Sequence, residues 1–399
     1  MLNFKQYAKD IESSIIENRR ELHRHPEPGF AERWTTDFIQ EVLRSYGIEI
    51  SPWGGSTGVV GLLRGTKKNS VKTERCMALR ADIDALPMQE PTGCVFASKN
   101  KGFMHACGHD AHVAGLLGAA RMLAEQRDSF GGAVKFIFQP AEEIVDASGA
   151  PKMILAGVLE QPKVEFIFGM HCTPEAEVGQ IFLPYGALTA ATALTFLKVI
   201  GQGGHGALPH LAKDPVVASA ALLMALQTMV SREICPGEAA VVTFGSIHGG
   251  TVGNIIPEQV EISGTVRALE MKVFKYLAKR MDEIIKLTGK ALRVRTEFEF
   301  SPGPPSCVNP PALADWAGAV PLPAVFGKKN VLPFRPVMVG EDFAFFQEKI
   351  PGLFCLYGVG NKSKKISASL HSPAFQIDES ALSLAAATYA QVAHDWLNR

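Results

Sequence analysis

The chain has 399 residues, more than the roughly 250–300 that one hydrophobic core usually supports, so two domains are expected. Lys and Arg together number 40, as do Asp and Glu, and this balance gives no electrostatic reason to expect nucleic acid or an anionic membrane as a partner. Hydrophobic residues make up 47% of the chain, as in an ordinary folded protein, and no apolar run has the length of a bilayer span.

The first 186 residues predict helices that alternate with short apolar strands. Apolar residues recur at helical spacing over 4–24, and further helices are predicted for about 31–46 and 110–126. The predicted strands of this part are 58–63, 77–81, 134–138 and 164–170. This alternation is typical of an α/β arrangement with a mostly buried sheet, in which sites lie at the carboxyl ends of strands.

The pattern changes between about 192 and 299. Strand, helix, two strands, helix and strand are predicted at 192–200, 214–231, 239–247, 257–267, 270–288 and 291–299. This βαββαβ order is that of a ferredoxin-like module. Signals like those of the first part resume after a Pro-rich stretch and end with a helix at 380–397. We therefore predict a discontinuous domain of 1–186 and 300–399 that is interrupted by an inserted domain at 187–299.

The seven cysteines are scattered, odd in number and without a Cys-x-x-Cys pair, so a disulfide framework is not expected. The N-terminal stretch carries charges where a signal peptide needs apolar residues. Both features favour a reducing cytoplasm as the location.

Cys107 and His109 stand just ahead of the helix predicted to start near 110. Two positions apart, they would point about 200° apart on a helix, so a common centre requires that they lie in the preceding turn. Thiolate and imidazole suit zinc and neighbouring metals. As an isolated pair, they are more often a buried free cysteine beside polar capping residues than metal ligands.

Four further candidates follow apolar strands or precede the last helix: Glu142, Glu143, His171 and His371. Each alone is more often a solvated or hydrogen-bonded residue than a ligand. One thiolate, one carboxylate and three imidazoles together exceed the needs of one tetrahedral ion and suit two divalent ions about 3.5–4 Å apart that activate a shared water. The predicted ligands are Cys107, His109, Glu143, His171 and His371. This assignment leaves Glu142 to act as general base and then as proton donor.

Asp82 and Asp84 end another predicted strand. They are either solvated strand-end carboxylates or residues that orient metal ligands, and we favour the second interpretation, with Asp84 the better candidate for supporting catalysis. His112, one helical turn beyond His109, is interpreted as structural.

The inserted domain carries three polar residues in Gly-rich or strand contexts, His205, Asn254 and Arg267. An arginine can bind a substrate carboxylate, and histidine and asparagine can stabilise an oxyanion. The glycines around them are also explained by ordinary turn chemistry.

Taken together, the motifs resemble the aminoacylase/hippurate-hydrolase family of dinuclear metalloamidases, in particular its N-acyl-amino-acid amidohydrolases and auxin-conjugate hydrolases. The matching segments run in family order and include LHRHPE (22–27), ALRADIDALP (78–87), MHACGHDAH (104–112), FQPAEE (138–143), GQGGHGALPH (201–210), NIIP (254–257), GTVRAL (264–269), GEDFAFF (340–346) and LHSP (370–373).

The resemblance implies a zinc-peptidase-like catalytic domain with a central mixed sheet flanked by helices. It also implies that the inserted domain is a lid through which two chains form a homodimer. It implies that the five predicted ligands hold the metal. Two divalent ions per subunit are expected, with zinc or manganese favoured over cobalt or nickel, because a thiolate ligand favours zinc while metal availability decides occupancy. The resemblance also implies that Glu142 is the acid/base, that Asn254 and Arg267 hold the substrate, and that His205 reaches the neighbouring subunit's site.

Three departures from the family pattern bear on substrate preference. Ala193 stands near a position where members usually carry an aspartate, 144–153 replaces a plain glycine run, and 301–311 is unusually Pro-rich. None of them touches a predicted ligand.

The predicted activity is hydrolysis of the amide bond of an N-acyl amino acid, with an acetyl, benzoyl or larger acyl group. A dipeptidase or aminopeptidase of the same chemistry is the nearest alternative. Two other classes remain open, an amidase with Cys107 as nucleophile and a metal- or ligand-binding module without catalysis. A retained Glu142 argues against the last, because a pure binding site needs no base beside its ligands.

Overall fold

A computed structural model describes residues 2–67, 75–91, 93–144 and 147–399. The chain divides into two units. Unit 1 comprises Met1–Gly186, Val308–Arg335 and Asp342–Arg399, and unit 2 comprises Ala187–Cys307 and Pro336–Glu341.

Eleven α-helices lie in the described part of the chain. They are α1 (Phe4–Asp10), α2 (Glu12–Arg24), α3 (Arg33–Ser45), α4 (His109–Glu125), α5 (Gly149–Leu155), α6 (Pro215–Thr228), α7 (Met271–Ala291), α8 (Pro311–Ala319), α9 (Pro321–Phe326), α10 (Phe343–Gln347) and α11 (Ala381–Leu397). The single helix predicted over 4–24 is wrong, because Ile11, with φ −102° and ψ 9°, leaves the helical conformation and separates α1 from α2.

The strands of the described residues number sixteen. They are β1 (Glu49–Ser51), β2 (Val59–Arg64), β3 (Cys76–Asp82), β4 (Ala133–Gln139), β5 (Phe166–Glu177), β6 (Ile181–Phe182), β7 (Gly186–Ala187), β8 (Ala191–Ile200), β9 (Gly204–His205), β10 (Ala240–His248), β11 (Ile255–Ile256), β12 (Gln259–Ala268), β13 (Arg295–Pro302), β14 (Val308–Asn309), β15 (Val331–Leu332) and β16 (Gly352–Gly360).

Unit 1 is built on an eight-stranded mixed sheet with the order β1-β2-β4-β3-β5-β16-β6-β15. The central strands β4, β3, β5 and β16 are parallel, and every residue of β3 and β4 is buried, which explains their continuous apolar runs. Helices α4 and α11 pack on each other and on β3, and α5 and α10 pack on β4 and β5. The predicted α/β class with a central mixed sheet flanked by helices is confirmed.

Strand β5 is longer than predicted. It continues through His171 to Glu177, because β16 pairs with it along this length, with Leu356 opposite His171. The expectation that the strand ends just before His171 is therefore wrong, and this side chain projects from the interior of a paired strand.

Unit 2 contains a four-stranded antiparallel sheet with the order β10-β12-β8-β13. Helices α6 and α7 contact each other and this sheet, and their buried side chains form a core separate from that of unit 1. The segment Pro215–Glu233 has the length and mean hydropathy, 1.3, of a membrane span, and 33% of it is buried in unit 2. This is weak evidence for a span, because α6 places Leu222 and Leu226 in the unit 2 core.

A buried arginine ties the carboxyl ends of β3 and β4 together. The Arg80 guanidinium is fully buried and lies 2.6 Å from Asp82 Oδ2 and 2.6 Å from Asp342 Oδ1. It also donates to Gln139 Oε1 at 2.9 Å, and Gln139 Nε2 donates to Asp342 Oδ2 at 2.6 Å. Strand β3, strand β4 and the residue preceding α10 are thereby joined.

We expect Arg80→Met to lower the free energy of unfolding by about 3–5 kcal/mol, because it leaves two buried carboxylates without their guanidinium partner. Urea unfolding followed by circular dichroism measures this loss. The matched control is Arg121→Met, which removes a partly exposed pair with Glu125 and is expected to change stability by less than about 0.5 kcal/mol. A loss below about 1 kcal/mol for Arg80→Met would show that the buried pairs do not stabilise the sheet.

Candidate active site

The turn that precedes α4 places Cys107 and His109 side by side. Helix α4 begins at His109, and Gly108 before it has a left-handed φ of 86°. A Cβ atom at Gly108 would lie 2.3 Å from Cys172 Sγ, so only glycine fits there. Cys107 therefore lies in the turn before the helix, as the spacing predicts.

Main-chain carbonyl groups orient two imidazoles. His109 Nδ1 donates to the Asp84 oxygen at 2.9 Å, and His171 Nδ1 donates to the Cys172 oxygen at 2.7 Å. Both Nε2 atoms are thereby left for the site, and His171 Nε2 lies 3.3 Å from Cys107 Sγ. Hydrogen bonds of this kind fix the tautomer and ring orientation of metal-binding histidines.

Cys107 also faces the carboxylate and the third imidazole. His371 Nε2 lies 3.2 Å from Cys107 Sγ and 3.2 Å from Glu143 Oε1. The His371 backbone has a left-handed φ of 59°, and its N–H donates to the Ala106 oxygen at 2.9 Å. A strained backbone of this kind persists only where its surroundings hold it, and here it aims a half-exposed side chain at Cys107.

The five predicted ligands fall into two trios that share Cys107. The donor atoms of Cys107, His109 and His171 lie within 4.8 Å of one another, and so do those of Cys107, Glu143 and His371. Within the described residues, His109 Nε2 is buried and has no hydrogen-bond partner, as expected for an atom whose natural partner is a cation. A thiolate, a carboxylate and three imidazoles fit two divalent ions.

The charges around these donors also suit cations. Burial, together with the nearby imidazoles of His112 and His109, lowers the pKa of His171 to about 3, so its ring is neutral at pH 7 with a free lone pair. Burial opposes a charge on His109, but Asp82 and Cys107 outweigh it and raise the pKa of His109 well above its usual value. The negative groups that attract a proton to His109 would equally stabilise a divalent ion there.

Asp84 contacts the backbone of the neighbouring glutamates. Its Oδ1 accepts from the Glu142 N–H at 3.1 Å, and its Oδ2 accepts from the Glu143 N–H at 3.0 Å. The Glu142 carboxylate lies within 4.8 Å of the donor atoms of His109 and Glu143. Glu142 thus stands beside the two trios, whereas the buried Asp84 carboxylate holds the turn that carries it.

His112 and Asp82 lie next to His171. The sequence indicates a structural role for His112, but this residue also holds the backbone beside a predicted metal ligand. His112 Nδ1 donates to Asp82 Oδ1 at 2.5 Å, and its Nε2 accepts the Cys172 N–H at 2.9 Å. This bond fixes the backbone next to His171. The signal in the sequence is the spacing of one helical turn from His109.

Unit 2 brings together two of its three predicted substrate-binding residues. His205 on β9 pairs with Ile255 on β11, and the Gly206 N–H donates to the Asn254 oxygen at 2.8 Å, so His205 and Asn254 are neighbours and both are exposed. His205 Nδ1 accepts the Ala207 N–H at 3.0 Å, which leaves its Nε2 as a donor.

The structure also places Arg267, the third of these residues, and the three departures from the family pattern. Arg267 lies on β12, is half-buried and donates to the Met338 oxygen at 2.7 Å. Ala193 is buried in β8 between Val266 of β12 and Pro302 of β13. Residues 145 and 146 of the 144–153 departure lie outside the described residues. The Pro-rich departure at 301–311 includes the end of β13 and the short strand β14.

The α/β fold and the two donor trios fit an enzyme that binds two divalent ions. The model of peptidase family M20/M25/M40 matches residues 78–395, and the chain belongs to this family. It is 40% identical to the N-acetyl-L-cysteine deacetylase of Bacillus subtilis over 93% of this chain and 85% of that protein.

Two further comparisons agree. The chain is 37% identical to the hippurate hydrolase of Campylobacter jejuni, over 97% of this chain and 98% of that protein. The solved structure of the Bacillus subtilis protein YXEP, described as a dinuclear metal-binding peptidase of family M20, superposes with a TM-score of 0.83 and 35% identity over 98% of this chain and 99% of that one. The resemblance found in the sequence is confirmed, and the chain is a metal-dependent amide hydrolase.

Cys107 has the wrong electrostatic surroundings for a nucleophile in the metal-free protein. Burial raises the pKa of its thiol well above the usual value, the nearby His109 works in the opposite direction, and Glu143 and Glu142 raise it further. Nucleophilic cysteines lie instead where the pKa is lowered.

We therefore expect iodoacetamide to modify Cys107 of the chelated protein at least about tenfold more slowly at pH 8 than the exposed Cys235. The thiol is protonated below its raised pKa, so its rate should still be climbing above pH 9. Peptide mass mapping over a pH series measures both cysteines in one sample, and Cys235 is the internal control. Equal rates at pH 8 would restore Cys107 as a candidate nucleophile.

Proposed function

We propose that this enzyme hydrolyses the amide bond of N-acyl amino acids and releases the free amino acid and a carboxylate. The observation that carries the proposal is the half-buried Glu142 carboxylate beside two donor trios that share Cys107. Two relatives support the substrate class, since one is named a deacetylase of N-acetyl-L-cysteine and the other a hydrolase of hippurate, an N-benzoyl amino acid.

Divalent ions bound by Cys107, His109, Glu143, His171 and His371 would supply the Lewis acidity that activates water and polarises the amide carbonyl. Zinc or manganese is favoured, with cobalt or nickel as alternatives. Glu142 takes the proton of the attacking water and delivers it to the leaving nitrogen. Asp84 keeps Glu142 in place because its carboxylate accepts hydrogen bonds from the backbone N–H groups of Glu142 and Glu143.

Unit 2 supplies the substrate-binding residues in this proposal. Arg267 binds the carboxylate of the amino acid, for which a guanidinium has matching geometry. Asn254 and His205 stabilise the negative charge that develops on the acyl oxygen, and the His205 Nε2 donor suits this task. The cytoplasmic location favoured by the cysteines, all seven of which are free, belongs to the proposal as well.

The proposal predicts that enzyme loaded with two ions per chain releases free amino acid from N-acetyl or N-benzoyl amino acids. Chelation should abolish this activity, and Glu142→Gln should lower kcat by at least about 10²-fold, because the amide cannot accept a proton. Amine release, measured on a panel that includes dipeptides, together with elemental analysis of bound metal, tests both points.

The panel separates the alternatives. Turnover of dipeptides but not of N-acyl amino acids would replace the proposal by a dipeptidase. Activity that survives chelation would refute metal dependence. Bound metal without turnover of any compound, in wild type as in Glu142→Gln, would contradict an N-acyl amino acid amidohydrolase and favour a binding module.

We further propose that unit 2 forms a homodimer. The outward face of α6 exposes Val216, Val217 and Met224, of which Met224 is 71% exposed. Strand β10 is an edge of its sheet among the described residues and exposes Ile247. An apolar helix face beside an unpaired strand edge is typical of a self-complementary interface.

Met224→Asp should therefore convert a dimer into a monomer, because it places a charge in the apolar interface. Light scattering coupled to size exclusion measures the change. Leu155→Asp, at an 88% exposed leucine of unit 1, is the matched control and should leave the dimer intact.

The dimer also predicts complementation between two inactive variants if His205 acts in the neighbouring subunit's site. Co-expressed Glu142→Gln and His205→Ala chains should recover about a quarter of the wild-type rate, since half of randomly formed dimers are mixed and each has one intact site. A monomeric wild type, or mixed dimers without activity, would contradict this arrangement.

A further inference from the structure

The turn that presents Glu142 and Glu143 is strained. Ala141, directly before them, is fully buried and has a left-handed φ of 53°. For a residue other than glycine this conformation costs on the order of 1–3 kcal/mol and persists only where the surroundings determine it. Both main-chain groups of Ala141 form hydrogen bonds. Its oxygen accepts the Gly149 N–H at 3.1 Å.

The main-chain N–H of Ala141 is bound by a carboxylate from a distant part of the sequence. Glu32 Oε1 accepts the Ala141 N–H at 2.8 Å. The next two N–H groups, those of Glu142 and Glu143, donate to the two oxygens of Asp84. Three consecutive amides are thus held by two buried carboxylates, Glu32 and Asp84, that belong to different segments.

Glu32 has no task in its own helix that would explain its buried side chain. It occupies the N-cap position of α3, where a side chain usually accepts from the first helical N–H groups, but it makes no such bond. Glu27 does so instead, because its carboxylate accepts the N–H groups of Trp34 and Thr35 at 3.1 and 2.9 Å. The Glu32 carboxylate bonds instead to the Ala141 N–H of the strained turn and to the Thr57 side chain.

We propose that Glu32 is a positioning residue that fixes the 141–143 turn, and through it the Glu142 carboxylate, in the geometry required for proton transfer. The proposal rests on the general-base role proposed above for Glu142. Misplacement of a catalytic group by about 1 Å can lower the rate by about 10²-fold. Because Glu143 belongs to the same turn, loss of the Glu32 bond also weakens metal binding.

A matched pair of substitutions separates the hydrogen bond from the volume of the side chain. Burial raises the pKa of Glu32 to about 7, and the Asp84 charge contributes in the same direction. A neutral Glu32→Gln side chain therefore resembles a form that the native residue itself adopts, and its amide oxygen can still accept the Ala141 N–H. Glu32→Leu has similar volume but no acceptor, and it leaves little room for a replacing water.

The experiment measures kcat, KM and the metal dissociation constant for wild type, Glu32→Gln, Glu32→Leu and the control Glu27→Ala, with folding checked by circular dichroism. We expect Glu32→Leu to lower kcat by about 10–100-fold with KM changed less than about threefold, and to weaken metal binding by about 10–100-fold. Glu32→Gln should restore both values to within about threefold of wild type. Glu32→Ala replaces Glu32→Leu if the leucine variant does not fold.

The control tests whether a loosened α3 alone explains the loss. Glu27→Ala removes the carboxylate that caps α3 but does not contact the turn, so it should lower the unfolding midpoint and leave kcat unchanged. Equal losses of kcat in Glu27→Ala and Glu32→Leu would overturn the positioning role, as would Glu32→Leu with wild-type kcat and metal affinity.

A Glu142→Gln arm in the same assay keeps the two proposals apart. If Glu142→Gln is fully active, the general-base role fails and the kcat argument for Glu32 fails with it. If Glu142→Gln is inactive while Glu32→Leu resembles wild type, only the positioning role is wrong. The metal dissociation constant decides whether Glu32 supports the turn even where no compound of the panel is hydrolysed.

Discussion

The site depends on the buried contact between Arg80 and two carboxylates at the end of the parallel strands. One guanidinium satisfies Asp82 on its own strand and Asp342 before α10, and Gln139 closes the set from β4. Each of these polar groups would be costly to bury alone, and together they fix the carboxyl ends of β3 and β4 relative to each other. Asp84, two residues beyond β3, is thereby placed where it can accept the amides of the turn that follows β4.

From this anchor, each group of the site is oriented by its neighbour rather than by its own conformational preference. Asp84 holds His109 through its main-chain oxygen, and Asp82 holds His112, which binds the Cys172 amide beside His171. Local geometry alone would leave these rings free to rotate. The rings of His109, His112 and His171 each take one orientation because the Asp84 carbonyl, the Asp82 carboxylate and the main-chain groups of Cys172 bind them.

Much of unit 1 and the outline of the donor set could be predicted from the sequence, because local patterns determine them. Continuous apolar runs predict the buried strands β3 and β4, and the two-residue spacing of Cys107 and His109 predicts a turn before α4. The break at Ile11 and the continuation of β5 through His171 could not be predicted. The second is imposed by pairing with β16, which lies some 180 positions further along the chain, and tertiary pairing outweighs local signals at strand ends.

The contacts that support the site could not be predicted from the sequence for the same reason. Glu32 lies near the start of the helix predicted for 31–46, and only the folded chain shows its carboxylate on the Ala141 amide. Ala141 itself carries no sequence signal of its left-handed conformation, since glycine is the usual residue there. Strain of this kind is visible only once the groups that enforce it are known.

The placement of the residues in the two units also separates two kinds of binding. All five proposed ligands belong to unit 1, and so do Glu32 and Asp84, whose carboxylates hold the turn that carries Glu142. The proposed substrate-binding residues His205, Asn254 and Arg267 belong to unit 2. Each unit has its own buried core. In the proposed assignment, metal binding therefore rests on residues of unit 1 and substrate preference on residues of unit 2, the unit in which the Ala193 departure lies.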